Sequence, residues 1–262
     1  MNVSLIITTF NRFDALELVL KSIESQVIKP LEVIIADDGS DENNVSKIKE
    51  FINNSQLNII HSWQENIGFR LARSRNKAIS LSTGEYLIVI DGDMILHPYF
   101  VADHILAAKK NFFIQGSRVL IKEKLTEKLL NKEISSVNFF SRDIANRKNT
   151  IRSRLLSKFF SEKNNSHKRV RGCNMSFYKS DCIAVNGFNN EFEGWGREDS
   201  EFVVRFLNAG FCKKNLRFSA VQFHLWHGLE ENKSLPENDK ILDNTINKNL
   251  SWCEFGINEF LD

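Results

Sequence analysis

Tyr86–Met94 reads YLIVIDGDM, and the fold is read from it. Leu87-Ile88-Val89-Ile90 is a short, largely β-branched apolar run without a polar break. That is the pattern of a strand covered on both faces by helices. The run stops at Asp91-Gly92-Asp93, where such a strand leaves its sheet. In open α/β sheets the ligand crevice lies beyond the carboxyl ends of the strands. Gly92 lets the backbone bend so that both carboxylates can face one point. Hard oxygen ligands suit Mg²⁺ or Mn²⁺, ions that keep open positions for substrate phosphates. Asp-Gly-Asp is also a common solvated turn, so its weight comes from the rest of the chain.

Upstream, Val3–Thr9 is an apolar strand, and Arg12–Gln26 carries Leu16, Val19, Leu20 and Ile23 on one helical face. Leu31–Ala36 reads as a second strand, Val45–Phe51 as a helix, Leu57–His61 as a third strand and Ala72–Leu81 as a helix. Pro98 fits the first turn of a helix running to about Asn111, followed by a strand at Phe112–Gln115. The succession β-α-β-α-β-α-β predicts an α/β fold: a mostly parallel, Rossmann-like, doubly wound sheet.

Three polar clusters then fall at strand ends: Thr8-Thr9-Phe10-Asn11, Asp37-Asp38-Gly39-Ser40 and Asp91-Gly92-Asp93. Neither GxGxxG nor GxxxxGK[ST] occurs, so any nucleotide phosphates must be held by a metal and by basic side chains. Asp37 or Asp38 could accept hydrogen bonds from a base or ribose. Arg70, Arg73 and Arg75 crowd a helix start, where cations oppose the dipole. Arg70 and Arg73, spaced i, i+3, share a face on which a diphosphate would lie. The alternative, open for Arg75 above all, is a solvated basic helix face.

In the second half, Val170–Phe177 reads as a strand. Gly194-Trp195-Gly196 presents an indole from a permissive loop, a platform for a sugar ring. Glu198-Asp199 then open a helix, where acids suit the dipole. Phe218–Phe223 reads as a strand ending in His224-Leu225-Trp226-His227. Two histidines at i, i+3 beside a carboxylate site are candidate ligands. Imidazole tilts the metal toward Mn²⁺ ahead of Mg²⁺. Asp239–Trp252 reads as a polar helix on the rim.

Ile6–Asn11, the Asp37–Ser40 turn, Asn66–Asn76 and Asp91–Asp93 come in the order seen in inverting family-2 glycosyltransferases, and the chain resembles that family over roughly its first 115 residues. The resemblance implies a GT-A fold and a nucleotide-diphosphate sugar donor. On it, Thr9, Asn11, Asp38, Arg70 and Arg73 would line the nucleotide. Asp93 would ligate the metal, and Asp91 would touch ribose or metal. Trp195-Gly196-Arg197-Glu198-Asp199 resembles the acceptor-side motif of β-1,4-galactosyltransferases and N-acetylgalactosaminyltransferases. Inverting transfer needs a base for the acceptor hydroxyl. By this resemblance Asp199 is that base, Glu198 orients donor or acceptor, and Trp195 stacks on a sugar. In the galactosyltransferases a second Trp-Gly lies just upstream, where this chain has Glu193-Gly194. A histidine completes the metal site in the resembling families. His224 is favoured over His227, with the other on the diphosphate.

The expected product is a UDP-sugar-dependent transfer of hexose or N-acetylhexosamine, galactose-type favoured, to a glycan or lipid-linked glycan acceptor, as in bacterial capsule or lipopolysaccharide synthesis. The expected organisation is one catalytic domain with a nucleotide-sugar half (1–115) and an acceptor half (116–262). A nucleotidyltransferase would need a glycine- and lysine-rich phosphate loop after the first strand, and Thr8–Asn11 does not supply one. A non-catalytic sugar-nucleotide or glycan-binding module is the other alternative.

Composition narrows the class. With 42% hydrophobic and 26% charged residues the chain is globular rather than disordered. Four cysteines without CxxC spacing read as reduced thiols, and Met1 runs almost directly into a strand, so a cytoplasmic protein without a signal peptide is expected. The net charge of +2 is uneven. Arg142–Arg171 holds ten Lys/Arg against Asp143 and Glu162, a local +8 that leaves −6 elsewhere. Apolar residues among these cations suggest either a peripheral contact with the inner face of the membrane or a basic lid. No nucleic-acid module accompanies them.

Overall fold

The computed structural model describes residues 1–168, 170–228 and 234–261. In chain order the elements are β1 (Val3–Thr9), α1 (Phe13–Glu24), β2 (Glu32–Asp37), α2 (Glu42–Asn54), β3 (Ile59–Trp63), α3 (Leu71–Leu81), β4 (Tyr86–Asp91), β5 (Met94–Leu96), α4 (Phe100–Ala107), β6 (Phe112–Gln115), β7 (Val119–Ile121) and α5 (Glu123–Leu130). There follow β8 (Ile144–Ala145), α6 (Arg154–Phe160), β9 (Glu162–Lys163), β10 (Asn174–Tyr178), α7 (Lys179–Ala184), α8 (Glu198–Asn208), β11 (Cys212–Asn215), β12 (Gln222–His224) and α9 (Leu235–Asn247).

Eight strands form one sheet in the order β3-β2-β1-β4-β10-β6-β11-β9. The four strands from β3 to β4 are parallel, and β6 is parallel to β11. β10, from the second half of the chain, runs antiparallel between β4 and β6. The chain steps outward from β1 to β2 and β3, then returns to place β4 on the other side of β1. Such a reversal opens a crevice at the strand ends. Register sets Thr8 beside Asp91 and Thr9 beside Asp37 there.

Alternation along β1 divides the core. Val3, Leu5 and Ile7 pack with Leu16, Val19, Leu20 and Ile23 of α1 on one face. Ile6 faces the other side, with Ala72, Ala78 and Ile79 of α3 and Phe202, Val203 and Phe206 of α8. Phe202 stacks on Phe188 with ring centroids 4.4 Å apart and leans on Phe177 at 5.2 Å. Each large side chain buried this way contributes about 1.5–3 kcal/mol. These aromatic contacts fix α8 across the sheet, and so fix where Glu198 and Asp199 emerge.

A second sheet, β5-β12-β7-β8, stands beside the strand ends. β12 is much shorter than the strand expected from Phe218, because Phe218 and Ala220 adopt positive φ of 56° and 49°. α4 ends at Ala107 rather than near Asn111, itself at φ 63°, and it starts two residues beyond Pro98. α9 starts at Leu235, ahead of the expected Asp239. The cysteines at 173, 182, 212 and 253 are all free. Among the described residues no helix is long and apolar enough to cross a membrane.

Candidate active site

β5 follows β4 after only Gly92 and Asp93, so Asp93 sits at the junction of the two sheets. β12 pairs antiparallel with β5 and sets His224 opposite Met94. The Leu225 amide then donates to the Asp93 carbonyl at 3.0 Å. This register, built from residues far apart in sequence, brings His224 to Asp93.

Ligand-type atoms of Asp93, His224 and His227 lie within 4.8 Å of one another. His224 Nε2 and His227 Nε2 are 3.3 Å and 3.6 Å from Asp93 Oδ2. Arg12 Nη1 reaches the same oxygen at 3.1 Å, and its Nη2 donates to the Trp226 carbonyl at 2.7 Å. The other oxygen, Asp93 Oδ1, is buried and has no hydrogen-bond partner among the described residues. Burial pushes the Asp93 carboxyl up, but the hydrogen bond and charge of His224, with His227 and Arg12, outweigh it, and its pKa falls below the usual range. A buried carboxylate held ionised, one oxygen unpartnered and two imidazoles alongside, fits a divalent cation of the Mn²⁺ type.

Asp91, expected at this cluster, does not join it. Its carboxylate accepts from Thr8 Oγ1 at 3.1 Å and from Arg75 Nη2 at 3.3 Å. Arg75 is not the solvated residue anticipated from the basic face: it is 1% exposed. Its Nη1 donates to Glu198 at 3.2 Å. The helix places Arg75 toward the sheet while Arg70 and Arg73 stay outside. The sequence signal for this was the position of Arg75 among Ala72, Ala78 and Ile79 on the apolar side of α3.

The residues expected at the nucleotide cluster around the β2 end. Asp38 is buried and accepts from Gln64 Nε2 at 2.5 Å and the Arg70 amide at 2.7 Å. Burial raises its pKa, partly offset by those bonds and by the Arg70 charge. Asp37 serves the turn itself, accepting from the Ser40 amide and lying 2.8 Å from His61 Nε2. Asn11, at φ 47°, bonds the Asp41 amide through Oδ1 and ties β1 to the same turn. The Thr9 carbonyl accepts from the Asp38 amide at 3.0 Å. The Arg70 side chain donates to the Glu65 carbonyl, and Arg73 contacts Gln64 Oε1 at 3.2 Å and lies over the Phe260 ring.

In the loop expected to meet the acceptor, Gly194 and Gly196 take positive φ of 70° and 104°. Buried Asn238 of α9 donates to the Glu193 and Gly196 carbonyls and holds that loop, with Trp195 exposed between them. Glu198 and Asp199 follow in the first turn of α8, and Ser200 Oγ donates to Asp199 at 3.2 Å. Burial first, then the neighbouring Asp199 charge, pushes the Glu198 carboxyl up to about 7, against the pull of Arg75. Arg12 and Gln64 are the polar residues that local sequence did not mark.

An α/β sheet with its carboxylate–histidine cluster at the switch point defines the class, a GT-A glycosyltransferase. Residues 4–178 match the family model "Glycosyl transferase family 2", and residues 154–227 match "N-terminal domain of galactosyltransferase". The chain belongs to glycosyl transferase family 2. It is 29% identical over 248 residues to the chondroitin synthase of Escherichia coli, covering 84% of this chain and 34% of that protein. The chain thus spans about a third or less of the length of the chondroitin and hyaluronan synthases it matches. Among solved structures, GalNAc-T7 with UDP, GalNAc and Mn²⁺ superposes with a TM-score of 0.68 at 13% identity, covering 93% of this chain and 48% of that one. TarS 1-349 of S. aureus in complex with UDP gives 0.60 at 15% identity, covering 94% and 65%. Both likenesses are of fold.

Proposed function

We propose that this glycosyltransferase is metal-dependent and inverting, moving a hexose or N-acetylhexosamine, galactose-type, from a UDP-sugar to a hydroxyl of a glycan acceptor in bacterial surface polysaccharide synthesis. The carrying observation is the buried Asp93 carboxylate, one oxygen unpartnered, facing His224 and His227. Asp93 and the two histidines would hold Mn²⁺, with Mg²⁺ the alternative. Bound there, the ion would offset the charge of the diphosphate leaving group. Support for UDP comes from the solved structures of like fold that hold it, and for polysaccharide synthesis from the chondroitin synthase relatives.

The chain's own residues divide the remaining work. Thr9, Asn11, Asp38, Arg70 and Arg73 line the nucleotide at the β1 and β2 ends, in the 1–115 half. In the 116–262 half, Trp195 provides a face for a sugar ring. Asp199 takes the proton of the acceptor hydroxyl while the donor's leaving group departs from the opposite face. Glu198, tethered to Arg75, orients the reactants beside it. Asp91, tethered to the same arginine, faces the ribose. The basic segment 142–171 gives a peripheral membrane contact, supported by Leu155 and Phe159, 66% and 73% exposed beside Arg154 and Lys158.

The test is calorimetric titration of a panel of nucleoside diphosphates and nucleotide sugars, first with Mn²⁺ and then with EDTA. UDP and a UDP-hexose bind with Mn²⁺ and lose most of their affinity in EDTA. If no nucleoside diphosphate binds under either condition, the donor assignment fails.

A further inference from the structure

A second feature of the acceptor half joins part of the basic segment 142–171 to residues of β6 and β11 that have no role so far. A cleft of about 410 Å³ opens along β6, β9 and β11. Its walls carry Lys148, Lys168, Arg171, Lys213 and Arg217 against a single acid, Glu162. Among the described residues, none of the five cations forms a salt bridge.

Four of these side chains are exposed, as surface cations usually are. Lys213 is different. It is 2% exposed, yet among the described residues its side chain has no hydrogen-bond partner. β11 pairs with β6 so that Lys213 stands beside Phe113, on the face covered by α8. Burial lowers its pKa, and the charge of Asp199 pulls it back up, so the ammonium lies within electrostatic reach of the proposed base. A neighbouring cavity runs past Arg197 and Ser200 and shares Lys168 as a wall. The basic cleft therefore leads from the start of α8 outward.

Lys213 thus lines the cleft without a hydrogen-bonded anion among the described residues, and five cations gathered against one acid repel one another unless an anion lies between them. We infer that this cleft is an acceptor subsite for an anionic group, a carboxylate or a phosphate, carried by the glycan next to the sugar that receives the transfer. The inference rests on the proposed transferase reading, since it names the acceptor class of that same site.

The test uses three disaccharides with the same neutral non-reducing hexose to receive the transfer, which differ only in the sugar next to it: a hexuronate, its carboxyl-reduced hexose, and that hexose bearing a 6-phosphate. Each is titrated calorimetrically into the full chain, with and without UDP and Mn²⁺. An anionic disaccharide binds about tenfold or more tighter than the neutral one, as charge-assisted hydrogen bonds imply. Whichever of the carboxylate and phosphate arms shows the preference identifies the anion. Lys213→Gln brings the anionic affinity to within about twofold of the neutral one and leaves UDP binding unchanged. The exposed pair Lys168→Gln with Arg171→Gln weakens the same preference should Lys213→Gln fold poorly. Equal affinity for charged and neutral disaccharides, or no affinity for either anionic one, overturns the subsite. So does a preference that survives both sets of substitutions. Failure of UDP to bind would overturn the donor assignment instead, because the disaccharide comparison is also read without nucleotide.

Discussion

Arg75 Nη1 stands 3.2 Å from a carboxylate oxygen of Glu198, 123 residues further along the chain. The other guanidinium nitrogen reaches Asp91 at 3.3 Å. One buried cation thus joins the turn at the end of β4 to the first turn of α8. The guanidinium lies over the Phe188 ring at 5.2 Å, and a Cβ at Gly172 would meet its Nη2 at 2.6 Å. Arg75 therefore has little freedom to move away from either acid.

Removing this cation leaves the largely buried Glu198 and the partly exposed Asp91 without their shared partner. Arg75→Met should destabilise the protein by about 3–5 kcal/mol, the usual cost of breaking a buried pair from one side. Arg75→Lys keeps the charge but lacks the planar fork that reaches both carboxylates. It should retain most of the stability and lose about tenfold or more in kcat, with the donor KM little changed. Urea denaturation and initial rates of UDP release measure the two effects. A wild-type kcat in Arg75→Lys would show that the bridge is structural only.

Glu198 makes stability depend on pH. Its folded carboxyl titrates at about 7, above its ordinary 4.5, because of burial and then the Asp199 charge. The folded state therefore holds this proton more tightly than the unfolded chain does. Its contribution to stability is fully present below about 4.5 and is lost as the pH rises toward 7. The change amounts to about 3 kcal/mol. Denaturation in EDTA at several pH values, wild type against Glu198→Gln, isolates it. The wild type should lose stability across that window relative to the variant. Parallel curves would rule the shift out.

The metal cluster gives a separate result. Asp93→Ala should abolish Mn²⁺-dependent UDP binding, because it removes the carboxylate that faces the two histidines through Oδ2 and leaves Oδ1 unpartnered. His227→Ala should weaken Mn²⁺ binding by about tenfold to a hundredfold and leave the fold intact, since His227 lies at the cluster's exposed edge. Manganese titration followed by electron paramagnetic resonance reads both without requiring turnover. Unchanged Mn²⁺ affinity in Asp93→Ala would place the ion elsewhere.

Asp199→Asn should lower transfer by at least about a thousandfold while UDP affinity stays within about twofold, because the amide keeps the shape and loses the basicity. Release of UDP in the presence of acceptor, beside calorimetry with UDP alone, separates the two. Near-normal turnover would move the base role to another group.

The first four strands are legible in the sequence because both faces of the sheet are covered, so β1, β2 and β4 are nearly continuous apolar runs. Their ends, and hence Thr9, Asp38 and Asp93, fall where an apolar run meets a polar cluster. His224 and His227 are legible as a pair after a strand, although that strand is only three residues long. The insertion of β10 between β4 and β6 is not legible, since pairing direction depends on partners distant in sequence. The role of Arg75 is hidden for the same reason. An arginine among arginines at a helix start looks solvated until Asp91 and Glu198 arrive from other elements. That arrival also explains why Asp91 faces Arg75 rather than the Asp93 cluster: its nearest cation is already in place.

The segment 142–171 carries the last prediction. Its helix α6 exposes Leu155, Phe159 and Phe160, and Phe140 nearby is 87% exposed. Arg154 and Lys158 share that helix. Exposed large apolar side chains beside cations suit the boundary between headgroups and acyl chains, where the rings enter and the charges meet anionic lipid. Seven residues of helix give a small footprint, so binding should be weak, reversible and dependent on lipid charge. Co-sedimentation with vesicles containing about one third phosphatidylglycerol should retain the protein at low salt, and vesicles of phosphatidylcholine alone should not. Phe159→Ser with Phe140→Ser should lose retention while calorimetric UDP affinity is preserved, because neither ring is among the residues clustered around Asp38 and Asp93. Equal recovery with neutral and anionic vesicles, or retention of the double variant, would leave the segment as a basic cover over the acceptor cleft.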